Sequence, residues 1–301
     1  MSFSALWVYQ KERFPLLKTA PLLAVFSAAS LSASAELSER PLPGLGGYLA
    51  GFVIAMLVFF QMRVCDEYKD LEDDRRYRPD RPIPRGLVSL RLIISLGFVS
   101  LPITALAAWL WHPPALWLLA VVWVWLAAMT AEFGAADWLK ARPVLYLLSH
   151  MAIMPLIDLL LTGLEWMPGG GPATGLSLFL ALSFVNGCVL EIGRKLWSPE
   201  NEISGVETYS GLWGARKAAR IWGACVLLSF ALLLGVGAAT GVVWLSAALG
   251  GVGVAICLGV AASYARSPTT KAEKRMDMIA GLWVFACYAI AGFLPILMRV
   301  I

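Results

Sequence analysis

Charge is scarce in this chain. Asp, Glu, Lys and Arg make up 15% of its 301 residues, where ordinary soluble domains carry about 25%. Hydrophobic residues make up 59% and the mean hydropathy is +0.73, which excludes a soluble globular protein and implies a polytopic membrane protein. Five cysteines, at 65, 188, 225, 257 and 287, lie in or beside apolar segments, and no Cys-x-x-Cys occurs. That excludes a disulfide framework and a structural zinc site, and reads the thiols as small buried hydrophobes. There is no low-complexity segment and no separate soluble domain, so residues 1–301 are read as one domain. A cleavable signal is not expected either. Lys11, Glu12, Arg13 and Lys18 precede a first apolar run that is too long for one and has no clear processing site.

Long apolar runs are what the chain has instead. A spanning helix needs about 20 apolar residues, and nine candidates follow: 16–35, 45–65, 88–111, 114–134, 143–163, 174–193, 218–240, 242–264 and 278–298. Runs of this length exclude barrel strands, so the expected fold is an all-α bundle of about nine transmembrane helices. Thirteen tryptophans suit interface belts and lipid-facing surfaces. Loops after the even-numbered spans are charged. Those after the odd-numbered spans are short or rich in Gly and Pro, such as His112-Pro113-Pro114. Of 24 Lys and Arg, only Arg40 and Arg299 fall on the side of the odd-numbered loops. The positive-inside rule then places the N-terminus and both charge-rich loops, 66–87 and 191–220, in the cytoplasm, with the C-terminus outside. The expected location is the cytoplasmic (inner) membrane, and no nucleic-acid partner is expected.

Directly after the second span comes Asp66-Glu67-Tyr68-Lys69-Asp70-Leu71-Glu72-Asp73-Asp74, six carboxylates in nine residues. On one continuous helix Asp66, Glu67, Asp70, Asp73 and Asp74 fall within roughly a 120° arc, and Glu72 alone points elsewhere. Acids do not serve orientation, and five on one face repel one another unless cations sit among them. Mg²⁺ is the natural cation for such oxygen ligands, and it binds substrate phosphates alongside one or two carboxylates. Arginines follow at 75, 76, 78, 81, 85 and 91. Guanidinium groups bind phosphate oxygens bidentately, so acids and arginines together make a candidate diphosphate site. In Arg81-Pro82-Ile83-Pro84-Arg85-Gly86 the prolines fix an extended turn that would hold Arg81 and Arg85 at set angles.

The second loop carries Glu191, Arg194, Lys195, Glu200, Asn201, Glu202 and Glu207. Glu191 and Lys195 stand four apart and suit a helix-surface ion pair. Alternatively Glu191, Asn201 and Glu202 gather near a second Mg²⁺, with Arg194 or Lys195 on phosphate. Asn186, inside the sixth span, needs a partner or a cavity. Lys140, in Trp138-Leu139-Lys140-Ala141-Arg142-Pro143, fits phosphate binding as well as lipid anchoring. Glu132 and Asp158 are intramembrane or edge acids, functional candidates by position, although Asp158 near the outer end could simply reach water. His150 reads as a hydrogen-bonded core histidine or as a base.

These residues resemble the UbiA superfamily of intramembrane prenyltransferases. Its N-D-x-x-D-x-x-x-D pattern is matched by Asp66-Glu67-x-x-Asp70-x-x-x-Asp74, and its R-P-I-P-x-G by Arg81-Pro82-Ile83-Pro84-Arg85-Gly86. Arg13-Phe14-Pro15 and the stretch Leu139, Lys140, Pro143 are also similar, and the likeness covers nearly the whole chain. The leading Asn-Asp is Asp66-Glu67 here. The family's second motif, D-x-x-x-D before G-x-x-T, would fall on Trp197 and Asn201 ahead of Gly205, Thr208 and Gly214, so neither position is an acid.

The resemblance implies a Mg²⁺-dependent transfer of a polyprenyl group from a prenyl diphosphate to an aromatic, quinone-precursor, tetrapyrrole or lipid acceptor within the membrane. Asp66, Glu67, Asp70 and Asp74 would hold the metal, with Glu191, Asn201 and Glu202 as candidates for a second. Asp70, Asp74, Arg81 and Lys195 would carry the reaction. Arg81, Arg85, Lys140, Arg194, Lys195 and Asn186 would bind the diphosphate. The weakened second motif leaves a terpene cyclase, or a transferase of another diphosphate-linked group such as phosphoribose, as alternatives. A transporter would place acids deep in several spans, and these acids concentrate at one edge.

Overall fold

The computed structural model describes residues 3–300, and among them every regular element is helical. In chain order these are α1 (Phe3–Arg13), α2 (Leu16–Leu37), α3 (Leu45–Lys69), α4 (Leu71–Tyr77), α5 (Leu90–Trp111), α6 (Ala115–Thr130), a 3₁₀ turn (Glu132–Gly134), α7 (Ala136–Lys140), α8 (Pro143–Met151), α9 (Ile153–Trp166), α10 (Leu176–Arg194), α11 (Tyr209–Trp213), α12 (Ala215–Ala239), α13 (Val243–Arg266) and α14 (Thr270–Val300). Eight segments are long and apolar enough to cross a membrane, counting Pro143–Trp166 as one. The ninth, α6, has 16 residues and reaches about 24 Å. It nevertheless runs from one end of the bundle to the other. Trp111, just before it, donates to the Leu164 carbonyl at 2.8 Å, whereas Glu132, just after it, meets Lys69 at 3.2 Å. The fourth expected span therefore stops at Thr130, short of the expected 134, because the backbone turns left-handed at Glu132 and Phe133 (φ 49° and 54°).

The fifth span is broken into α8 and α9 at Ala152. Pro155 has no N–H to give the Met151 carbonyl, so the helix loses a rung there. The core is built on α2, whose run Ser27–Ala35 is made of small residues plus Leu31 and lies buried between α9 and α14. Without side-chain bulk two helix backbones can close up. At Gly292 of α14 a Cβ would lie 2.5 Å from both Cα and the carbonyl oxygen of Ala29.

Asp158 does not reach water: it is fully buried. It accepts hydrogen bonds from Ser30 on α2 at 2.6 Å and Tyr288 on α14 at 2.5 Å, which satisfies a carboxyl that would otherwise be costly in an apolar interior. At the end away from the acidic loop, Arg40 bonds Glu165 at 2.7 Å and the Gly171 carbonyl at 3.0 Å, and Arg299 pairs with Glu36 at 3.0 Å. Both loops 66–87 and 195–214 lie at the other, charged end.

Replacing Gly292 by Val should force α2 and α14 apart. We expect a loss of about 1–3 kcal/mol, the usual cost of overpacking, read as a lowered melting temperature in detergent. An unchanged melt would show that this backbone approach is not required.

Candidate active site

Asp70 joins α3 to α4, with φ −90° and ψ 5°, and the carboxylates on either side fall into three groups by burial. Glu67 and Asp74 turn inward and are buried. Asp66 and Asp70 stay partly exposed, and Asp73 is exposed along with Glu72. Burial deepens across the arc expected from helical spacing, from exposed Asp73 through Asp66 and Asp70 to Asp74 and Glu67, and arginines from outside the segment meet its buried edge. Arg13 Nε reaches Glu67 at 2.5 Å. Arg81 Nη1 grips both oxygens of Asp74 at 2.6 and 2.7 Å, with Arg78 at 3.3 Å and Arg13 at 3.9 Å. Burial, with Arg81 alongside, lowers the Arg78 guanidinium from its ordinary value, against the opposing pull of Asp74 and Asp70. Arg85 pairs with Glu12 at 2.8 Å and donates to the Asp80 carbonyl. The arginine turn is thus preset by the acids and by α1.

The second loop is held mostly by neutral groups. Thr208 and Ser210 donate to Glu202 at 2.6–2.7 Å. Asn201 donates to Glu273 on α14 at 2.8 Å, and Glu273 also accepts from Ser198. Glu191 binds Arg194 at 2.7 Å and Lys195 at 3.0 Å, so the expected ion pair forms and recruits Arg194 as well. Glu191, Asn201 and Glu202 therefore each have their own partners. Asn186 lies deep in α10, accepting from Ser229 at 2.6 Å, away from this loop. Lys140 is exposed on α7.

The two loops meet. Gly205 has φ +87°, and a Cβ there would lie 2.1 Å from the ring of Tyr77, so only glycine allows this approach. Near this contact, Asp66 and Arg194 attract one another from opposite helices, α3 and α10. Their side chains keep 50% and 53% of their surface accessible, although protein atoms crowd around both. The end of α3 thus presents the carboxylates Asp66 and Asp70, and the end of α10 presents the cations Arg194 and Lys195.

Sequence reasoning missed the residues around this end of α3. Lys69 donates to Tyr146 at 2.7 Å and pairs with Glu132 at 3.2 Å. Tyr146 stacks on His150 at 3.9 Å, and His150 Nδ1 lies 2.9 Å from the Tyr146 carbonyl, as expected of a hydrogen-bonded histidine. Lys69 was visible among the acids, and Glu132 as an edge acid. Tyr146 carried no signal.

Among the described residues no three His, Cys, Asp or Glu side chains converge as a metal held by protein alone requires. A Mg²⁺ that shares its shell with substrate phosphates needs just one or two carboxylates. Asp70 and Asp66, the latter paired with Arg63 at 3.4 Å, are the accessible carboxylates that fit that donor set, whereas Glu67 and Asp74 are buried against arginine.

Removing Arg13 by Arg13→Ala leaves Glu67 buried without its cation, which should cost about 3–5 kcal/mol. The double variant Arg13→Ala/Glu67→Ala should lose less than the two single losses added together. Detergent melting curves of all three would show it, and strict additivity would mean the pair is not coupled.

The model of the UbiA prenyltransferase family matches residues 22–286. No curated protein matches the chain. Two solved structures share its fold. One, the apo structure of a UbiA homolog from Aeropyrum pernix K1, is 17% identical with a TM-score of 0.67, over 92% of this chain and 98% of that one. The other, from work on digeranylgeranylglyceryl phosphate synthase in membranes, is 16% identical with a TM-score of 0.61, over 96% and 99%. With the match running from α2 into α14, through both charged loops, this membrane-embedded chain belongs to the UbiA prenyltransferase family.

Proposed function

We propose that the chain, acting as one catalytic domain, transfers a polyprenyl group from a prenyl diphosphate to a hydrophobic acceptor inside the membrane, in a Mg²⁺-dependent reaction. The observation that carries this reading is the meeting of partly exposed carboxylates at the end of α3 with cations at the end of α10, where Asp66 and Arg194 attract one another. Mg²⁺ bound by Asp66 and Asp70 would supply positive charge to the diphosphate oxygens. Arg194 and Lys195 would hold the remaining oxygens. Arg194 spends one hydrogen bond on Glu191 out of five N–H donors, so donors remain for the substrate. Arg81 and Arg85, preset by Asp74 and Glu12, stand as the flanking cations, with Lys140 at the rim.

In the reaction the allylic C–O bond breaks and its electron pair leaves with the diphosphate. These cations lower the barrier by meeting charge where it develops. The apolar helices beneath would exclude water from the carbocation, and the acceptor's nucleophile would close the new bond. Charge asymmetry supports a cytoplasmic location for both loops, in the inner membrane.

Purified protein with a panel of prenyl diphosphates should release diphosphate and form a prenylated lipid with Mg²⁺, and should do neither in EDTA. Diphosphate release with a cyclic product and no acceptor would favour the cyclase. Asp70→Asn should abolish turnover in a folded protein, while Glu72→Gln, exposed and paired with Arg75 at 2.8 Å, should be mild. Equal damage from both would sink the proposed metal site.

Arg194→Ala and Lys195→Ala should each weaken donor binding by roughly 1.5–3 kcal/mol, the range for a hydrogen bond to a charged group. Unchanged donor affinity in both would remove the second loop from the site.

A further inference from the structure

The cations of the charged end fall into two populations. Arg13, Arg63, Arg78 and Arg81 are answered by carboxylates of the first loop, and Arg194 and Lys195 by Glu191. On α14 the pattern changes. Lys271, Lys274 and Arg275 are exposed, and among the described residues none of them makes an ion pair, a hydrogen bond or a ring contact. All three line one shallow concavity, together with Thr270 and Met278.

These cations are continuous with an apolar stripe. At 100° per residue Lys271, Lys274, Arg275, Met278, Leu282 and Phe285 fall within about 100° of one another. Met278, Leu282 and Phe285 are 59%, 53% and 40% exposed, so this face is uncovered along its length. The helix has 31 residues, about 46 Å, against a hydrocarbon core of about 30 Å. Its first turns therefore stand at headgroup level while Leu282 and Phe285 stand in the apolar layer. The carboxylates of α14 lie off this face. Glu273 points toward Ser198 and Asn201, and Asp277 lies toward Arg194.

We propose that this face of α14 binds an anionic phospholipid. The phosphate would be met by Lys271, Lys274 and Arg275, and the acyl chains would run along Met278, Leu282 and Phe285. Orientation of a membrane protein needs positive charge at one end, but places no requirement on which side of a helix carries it. A lipid needs both features in line, cations at the rim and an open apolar track below. Removing one juxtamembrane cation near an anionic surface weakens binding about five-fold.

The test counts lipids retained by the purified full chain in native mass spectrometry, after exchange into detergent with equal amounts of phosphatidylglycerol and phosphatidylcholine. The wild type should retain phosphatidylglycerol preferentially. The variant Lys271→Gln/Lys274→Gln/Arg275→Gln should lose this preference by on the order of ten- to a hundred-fold. The matched variant Arg216→Gln/Lys217→Gln/Arg220→Gln removes the same charge from exposed positions at the start of α12, and should stay within about two-fold of wild type. Equal retention of both lipids by the wild type would overturn the proposal. So would equal loss in the two variants, which marks diffuse attraction, or displacement of the lipid by millimolar inorganic phosphate, which marks a phosphate site with no acyl track.

Discussion

Carboxylates at the edge of an apolar bundle have to be answered by cations, and this requirement organises the charged end. Glu67 and Asp74 are buried, where an unpaired charge would cost several kcal/mol. Arg13 answers the first and, with Arg78 and Arg81, surrounds the second. Because Arg13 closes α1 and Arg81 opens the proline turn, the same contacts fix both elements against the end of α3. A small apolar cluster of Tyr9, Val64, Ile83, Val88 and Ile93 fills the space beneath.

The second loop meets a different problem with different means. Where the family's paired aspartates would stand, Trp197 and Asn201 are held by hydrogen bonds rather than by a cation. The Trp197 carbonyl accepts from Tyr264 at 2.6 Å, and Asn201 donates to Glu273. Glu202, held by two hydroxyls, fastens the loop to itself. Charge at this end of α10 comes from Arg194 and Lys195, gathered by Glu191. The charged end is therefore asymmetric, acidic on α3 and basic on α10, and on the proposed function that suits one metal ion better than two held by matched acid pairs.

Much of this was legible in the sequence, because apolar runs and charge asymmetry act locally. Nine segments, the two charged loops at one end and the Glu191–Lys195 ion pair all follow from residue order. What was not legible depends on contacts between distant positions. Asp158 near a helix end reads as an acid close to water, yet Ser30 and Tyr288, each more than a hundred residues away, enclose it. The commitment of Glu67 to an ion pair was hidden for the same reason, since Arg13 is 54 residues before it. The left-handed pair Glu132 and Phe133 has no glycine to announce it. Its strain, about 1–3 kcal/mol for such a residue, is offset by contacts of the Glu132 carboxylate.

Those contacts explain how acids can stay available beside so many cations. Lys69 directly precedes Asp70 and lies three residues after Asp66, so it is the natural neutralising partner for both. Instead its ammonium is taken by Tyr146 and Glu132, which reach it because the chain reverses at Glu132–Gly134 and brings α8 alongside. Tyr146 is held in turn by stacking on His150, which bonds the Tyr146 carbonyl. The strained turn thus acts on the end of α3 at one remove. It engages Lys69 away from Asp66 and Asp70, and Asp66 pairs with Arg63 on its own helix instead, at 3.4 Å. On the proposed function, a diphosphate with its metal ion would have no pair between Lys69 and these two carboxylates to break first.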